Sequence, residues 1–375
     1  MRSSRGSGRS VRVRQAEFSD YAPIGALLSR YALEVKSYDE WRHLWIGNPV
    51  YKDVDGPWPM GWVLETGDQR VVGCLGNIPL RYEFQGRSLI AAASHAWVVD
   101  SEYRSYAPLL LDCYFAQRNV DLYLSTTVNA QASSAFTAFN SLRVPVGAWD
   151  RSRFWIGNYR GFAASWAATK ALPMARPLSY LLAAPLWSKH RSARRALDAI
   201  GDSPEIEYCD RFDERFDEFW KALSGQQAGM LLAVRTREAL NWHFMHALRQ
   251  RKAWLLTLTK ESVLSAYCIF LRQDNPVFGL KRMRVVDFQV LDGNTAVLLP
   301  MLARAMVKCR AENIHMLEYV GVHGNVEKTV DSLAPLERTL PSWPFYYRAN
   351  SRALAHSLNN AEAWNPSPFD GDSSL

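Results

Sequence analysis

Residues 98–117, VVDSEYRSYAPLLLDCYFAQ, read as a strand that ends in a polar turn and runs straight into an amphipathic helix. Such a junction gathers free backbone N–H groups and the positive end of a helix dipole at one point, which is the chemistry of phosphate binding. The turn contains no glycine. Arg104 supplies a charged contact for an anionic cofactor, and Pro108 suits a first helical position while removing one donor. Ala107 accepts helical dihedrals, whereas Leu109 crowds the approach.

These residues sit in a chain of 375, a length that suits two domains with enough apolar content for both cores. Lysine and arginine exceed aspartate and glutamate by seven, which suits a polyanionic ligand, an acidic membrane surface or nucleic acid. The basic residues are scattered and no recognition-helix motif is visible, so DNA binding is not expected. Cys74, Cys113, Cys209, Cys268 and Cys309 lie far apart without metal-type C-x-x-C spacing. They read as buried thiols of a reducing, cytoplasmic compartment, with no metal site expected. The opening MRSSRGSGRSVRVR lacks the apolar stretch of a secretory signal, and residues 1–10 are expected to form a flexible basic arm.

The stretch 162–187 is interrupted by Lys170, Pro173, Arg176, Pro177 and Pro185, which argues against a spanning helix. With SKHRSARRAL behind it, the segment reads as interdomain linker helices with a solvated basic face. The alternative is a peripheral contact of residues 172–197 with acidic headgroups at the inner membrane face.

Apolar periodicity orders the first half as strand, two helices, three hairpin-linked strands (WVLET, RVVGCLGNIPLRYEF, SLIAAASHAWVVD), the helix after the turn, a fifth strand VDLYLSTTVN, the helix AQASSAFTAF and closing strands in RVPVGAWDRSRFWIG. The second half repeats this programme from EIEYCD to IHMLEYV, with Thr236 as an N-cap before REALNWHFMHAL. VVD itself recurs at 98–100 and 285–287. A parallel crossover through the 104–119 helix inside a mostly antiparallel sheet follows from the order.

This order, with VVDSEYRSYAPLL at its centre, resembles the GNAT N-acyltransferase superfamily, and the whole chain resembles a tandem of two such domains. The resemblance implies an α/β (α+β mixed sheet) fold, each domain a mostly antiparallel twisted sheet with flanking helices. The expected boundaries are an acyl-CoA-binding domain over 11–160, linker helices over 161–203, a degenerate second domain over 204–350 and a polar tail over 351–375. In that family a Q/R-x-x-G-x-G/A turn wraps the pyrophosphate of acyl-coenzyme A, and the matching residues here are Arg104, Ser105, Tyr106, Ala107, Pro108 and Leu109. The resemblance further implies that the backbone of Val98 and Val99 holds the pantetheine arm and that Asn129 stands at the cofactor after the fifth strand.

A helical Tyr protonates the departing thiolate in the family, and Phe136 stands in its place here. Tyr106 and Tyr103 are the alternative hydroxyls, and Asn140 takes the place of a following Gly, whose left-handed conformation Asn can adopt. For removing the ammonium proton of an acceptor amine, the candidates are His95 and, after it, Glu65, whose place next to the Gly-Asp turn predicts exposure.

The activity so implied is acyl-CoA-dependent N-acyl transfer by direct attack on the thioester. Acetyl-CoA or another acyl-CoA is the donor, and a small-molecule primary amine such as an amino sugar or amino acid is the acceptor. Two other readings stand beside it: a Fem-type aminoacyl-tRNA-dependent transferase, and a non-catalytic tandem scaffold at a membrane surface. In the second half, LDGNTAVLLPML puts Asp292 where phosphate charge would sit, so that half is expected to shape the acceptor site. The tail WNPSPFDGDSSL carries a calcium-loop-like DGD without the remaining ligands and is expected to be solvated.

Overall fold

The computed structural model describes residues 10–54, 56–147, 149–170, 175–201, 203–340 and 344–375, without the side chains of 175–180. The expected basic arm, apart from Ser10, lies outside the described residues, as do Pro173 and the side chains of Arg176 and Pro177. The chain opens with β1 (Val11–Gln15), α1 (Tyr21–Arg30), α2 (Tyr38–Ile46) and α3 (Pro49–Asp53). A capping box between Ser37 and Glu40 starts α2. Asn48 caps α3, with Pro49 in its first turn.

Strands β2 (Gly61–Thr66), β3 (Val71–Phe84) and β4 (Arg87–Val99) form the expected meander. Gln85 and Gly86, both at positive φ, close the long β3–β4 hairpin with the handedness that strand twist favours. Then come α4 (Ala107–Phe115), β5 (Leu122–Ser125), α5 (Ala130–Ala138), β6 (Leu142–Arg143) and β7 (Arg151–Ile156). The linker folds as α6 (Tyr159–Thr169), α7 (Ala175–Lys189) and α8 (Arg191–Asp198). Ala193 and Leu197 of α8 are buried in the second core.

The second half comprises β8 (Ile206–Cys209), α9 (Arg215–Gln226), β9 (Leu232–Ala233), α10 (Arg237–Arg249), β10 (Ala253–Lys260), β11 (Val263–Arg272), β12 (Arg282–Val290), α11 (Leu298–Ala311), β13 (Met316–Val320), α12 (Gly324–Asp331), β14 (Leu336–Thr339), β15 (Tyr346–Ala349) and α13 (Arg352–Leu358). Thr236 caps α10 as its type and place predict, accepting from the Ala239 N–H.

Two sheets result, ordered β1-β2-β3-β4-β5-β15-β6 and β14-β7-β13-β12-β11-β10-β8, with β9 on β3. Each contains an antiparallel meander followed by one parallel neighbour reached through a helix: β4 to β5 through α4, and β12 to β13 through α11. The two halves therefore share one plan, as the element order predicts.

The edges of the two halves do not follow the linear boundaries. Strand β7, expected to close the first sheet, pairs with β13 and β14 in the second. Strand β15, from the second half, sits between β5 and β6 of the first. Each sheet thus borrows a strand from the other half. The expectation of a solvated tail is also corrected. Residues 352–358 form α13, and Trp364, Ser367, Phe369, Asp370 and Ser374 are all buried. Leaving Trp364 and Phe369 in water would forfeit about 1.5–3 kcal/mol for a side chain the size of Phe, which explains the docking.

Candidate functional site

The tail runs between the two sheets and is tied down at successive residues. Ser367 Oγ donates to Asp287 of β12 (2.9 Å), which also forms a fully buried ion pair with Arg235 (2.8 Å). Arg235 stacks over the Phe369 ring at 4.9 Å. Asp372 Oδ1 accepts from Thr126 Oγ1 (2.8 Å), the Ser373 carbonyl accepts from Gln273 Nε2 (3.0 Å), and Ser374 Oγ lies 2.8 Å from His243 Nε2.

This tail meets the first sheet where two of its strands part. Strands β4 and β5 pair only over Ala91–Ala93 and Leu122–Leu124. The Ser94 and Ser125 hydroxyls bridge the next step at 2.7 Å, after which β4 continues to Val99 without β5 beside it. Asp372 occupies the root of the opening, bound to Thr126 on one side and to His95 on the other (Oδ2 to Nδ1, 3.0 Å). A carboxylate only accepts, so Nδ1 is the donor here, and Nε2 is the nitrogen left to exchange a proton with another group. One link beyond His95, β4 bulges: Leu75 faces both Ala96 and Trp97 in the register, and Ala96 adopts φ +50°. A non-glycine residue held there costs about 1–3 kcal/mol, strain of the kind that concentrates at sites of chemistry.

Beside the bulge lies an apolar cavity of about 200 Å³ between the sheet and the α1–α2 pair. Trp41, Trp45 and Trp62 line it together with Gly76, His95, Ala96 and Leu375 and with Glu34 and Lys36 of the α1–α2 loop. The indole N–H groups of Trp45 and Trp58 both donate to the Asn77 carbonyl (2.8 and 3.0 Å), which fixes α2 and the 57–60 loop to β3. The site therefore combines a base oriented by a carboxylate, a strained backbone bulge and an apolar chamber. An imidazole held in this way has one ring nitrogen free to exchange a proton with a group placed beside it.

Of the residues singled out from sequence, His95 stands inside this arrangement. Glu65 does not. It is buried, and both of its oxygens accept from Arg12 and Arg14, whose hydrogen bonds hold its carboxyl below the usual range. Its expected exposure is thus corrected, and a carboxylate so engaged is a poor base. Tyr106 packs against the first core, away from the cavity lining. Phe136, at the place of the family's proton donor, is buried with its ring stacked on Tyr346 (6.0 Å) and edge-on to Trp97 (5.5 Å). Asn140 has φ +60°, the left-handed conformation expected where a glycine would stand.

The polar turn after β4 is a 3₁₀ helix over Ser101–Tyr106 leading directly into α4. The Ala107 N–H is spent on the Arg104 carbonyl and Pro108 has none, so neither is free to bind an anion at this helix start. Arg104, Ser105 and Leu109 are exposed there, while Ala107 is half-buried. Val98 and Val99 pair with Cys74 and Gly73 of β3. Asn129 caps α5 by accepting from the Ala132 N–H (2.8 Å), which occupies its side-chain oxygen. Sequence reasoning missed Asp372 and Thr126. The signal for them was the apolar content of the tail, Trp364, Phe369 and Leu375, which asks for burial and carries Asp372 with it.

No family model and no curated protein sequence matches the chain. Solved structures do. N-myristoyltransferase from Saccharomyces cerevisiae, with bound myristoyl-CoA and inhibitors, superposes with a TM-score of 0.60 at 13% identity, over 97% of this chain and 84% of that one. A probable N-acyltransferase from Enterococcus faecalis gives 0.56 at 9% identity over 91% and 73%. A GCN5-related N-acetyltransferase from Anabaena variabilis gives 0.53 at 11% identity over 91% and 73%. Likeness at these identities is one of fold: two GNAT-like domains in tandem, as the order of elements implies.

Proposed function

We propose that the chain is an acyl-CoA-dependent N-acyltransferase in which an amine attacks the thioester directly, with His95 as general base. The carrying observation is the His95–Asp372 pair beside the strained Ala96 bulge, at the point where β4 and β5 part. Asp372 fixes the imidazole, Nε2 takes the ammonium proton, and the thiolate leaves without a protein donor, since an ordinary thiol pKa of about 8.5 makes it a fair leaving group. The acyl-CoA would enter along the free flank of β4, past Val98 and Val99, with its phosphates toward Arg104 and Ser105. The tandem fold shared with proteins described as N-acyltransferases supports this reading, and the yeast protein was solved with myristoyl-CoA.

The donor acyl group is proposed to be longer than acetyl. The tryptophan-lined cavity favours methylenes, each worth about 0.8 kcal/mol, or about fourfold in affinity, on burial. Calorimetry with acetyl-, butyryl-, hexanoyl- and octanoyl-CoA tests both points. Failure of all four to bind would sink the acyl-CoA reading, and a flat series would assign the cavity another role. His95→Ala is expected to lower turnover by about 10²–10⁴-fold with acyl-CoA affinity unchanged. Unchanged turnover would remove His95 from the mechanism.

A peripheral membrane contact of the 172–197 segment is a separate part of the proposal. Leu181 and Trp187 are exposed there beside Arg191, Arg194 and Arg195, while no described helix is long and apolar enough to cross a membrane. Leu181→Glu combined with Trp187→Glu should abolish sedimentation with acidic liposomes. Equal sedimentation of both forms would reject the contact.

A further inference from the structure

The walls of the tryptophan-lined cavity are held in place, so its size is a property of the fold. Trp45 is buried, its indole N–H donates to the Asn77 carbonyl (2.8 Å), and its ring meets that of Trp41 edge-on at 5.2 Å. Trp41 in turn packs edge-on against Phe18 (5.8 Å) and beside Tyr21 (5.5 Å). Pushing Trp45 aside would leave a buried N–H without a partner, a larger loss than the burial of one more methylene returns. The Met60 carbonyl accepts from the Asn77 N–H (2.8 Å), which fixes the 57–60 loop in the same way.

This space holds about 200 Å³. A dry cavity of about 150 Å³ takes benzene, a ring of six carbons, so the present one has room for about eight. The lining changes character at the α1–α2 loop, where Leu33 and Glu34 are exposed and Lys36 is half-buried. Carbons that reach this loop meet charged groups and water, and a methylene that stays in water adds no affinity.

We propose that the cavity measures the acyl chain: the donor is a medium-chain acyl-CoA of about eight carbons, and the bulk of Met60 and Leu28 sets the limit. This rests on the acyltransferase reading and narrows its donor. His95 and Ala96 line the same cavity, so an acyl group whose thioester lies beside His95 extends into it. Met60 of the 57–60 loop and Leu28 of α1 are buried lining residues on separate elements. Neither side chain takes part in the hydrogen bonds that hold Trp45 and Trp58, so their size can change while those bonds remain.

Affinities of the full chain for acetyl-, hexanoyl-, octanoyl-, decanoyl-, dodecanoyl- and tetradecanoyl-CoA are measured by calorimetry, below the concentration at which each forms micelles. Every value is taken relative to acetyl-CoA in the same protein. Between hexanoyl and octanoyl the gain should be about fourfold per methylene, and between decanoyl and tetradecanoyl about twofold at most in total. Met60→Ala should carry the rise to longer chains, with dodecanoyl-CoA gaining at least about fourfold over octanoyl-CoA. Leu28→Phe should end it earlier, with octanoyl-CoA no better than hexanoyl-CoA. Ile24→Ala and Ala16→Leu repeat the opening and the filling from other lining positions, so the test stands if either first variant fails to fold. A rise that runs evenly to tetradecanoyl-CoA, or an end point unmoved by the variants, overturns the chain-length limit and leaves the acyltransferase reading in place. Absence of binding by every acyl-CoA overturns the limit through failure of that reading.

Discussion

Acid should release the tail from between the sheets, and His243 on α10 sets the pH at which this happens. Its ring is buried, 2.8 Å from Ser374 Oγ and 4.6 Å from the Phe369 ring centroid, and burial pushes its pKa down to about 3. A released, solvated His243 titrates near 6.5. The docked state therefore binds fewer protons than the released one, so its stability is full above pH 6.5, is lost as pH falls through 6.5, and goes on falling until about pH 3. The separation of about 3.5 units amounts to about 5 kcal/mol over that whole window. At pH 5 the released form gains about 2 kcal/mol, about thirtyfold in population.

Asp370 acts with the opposite sign. Burial raises its carboxyl pKa, so protonation favours the docked tail, in a window that opens above its ordinary 3.8. Comparing wild type with His243→Gln isolates the histidine, since Gln keeps a hydrogen bond to Ser374 without a titrating group. Hydrogen exchange of the 367–374 amides, corrected for intrinsic rates, should show about thirtyfold loss of protection between pH 8 and pH 5 in wild type and little change in the variant. Activity should fall in parallel, because the same tail carries Asp372 to His95. Protection equal at the two pH values in wild type, or the same loss in His243→Gln, would refute the reasoning.

Three further substitutions probe the packing around the site. Gly371 has φ +69°, and a Cβ there would sit 2.3 Å from Thr126 Cγ2, so Gly371→Ala should cost about 1–3 kcal/mol and lower the Tm while loosening the Asp372 contact. Arg235→Leu strands the buried Asp287 carboxylate and should cost about 3–5 kcal/mol in urea unfolding, with partial recovery on adding Asp287→Asn. Phe136→Tyr restores the hydroxyl that GNAT enzymes use, but inside a closed stack. It should cost about 1–3 kcal/mol and leave turnover unchanged, and a tenfold gain in turnover would show that position to be open to the reacting thiolate.

Much of the fold was legible because its signals are local. The β2–β3–β4 meander, the crossover through α4 and the Thr236 cap each follow from a few adjacent residues, whereas the left-handed Asn140 followed from the resemblance, where it takes the place of a glycine. His95 was singled out because the resemblance places its strand along the thioester cleft and an imidazole suits proton transfer, while nothing in the sequence pointed to the carboxylate beside it. The exchanged strands were not, because β7 and β15 carry the same apolar pattern whichever sheet receives them. Glu65 misled for a related reason: a carboxylate beside a turn looks solvated until Arg12 and Arg14 of β1 arrive from 53 and 51 residues away. Asp372 joins His95 across 277 residues, a separation at which residue type and spacing carry no information.

The borrowed strands also set a timetable for synthesis. During translation, the first sheet lacks the neighbour that links β5 to β6 until residues 346–349 have left the ribosome, by which point nearly all of the second half has emerged. Until then the β5 edge is open, a template for wrong partners, and the two halves close on each other late and together. A nascent chain stalled near residue 200 should thus remain a client of chaperones, and two fragments cut in the linker should regain structure only when mixed.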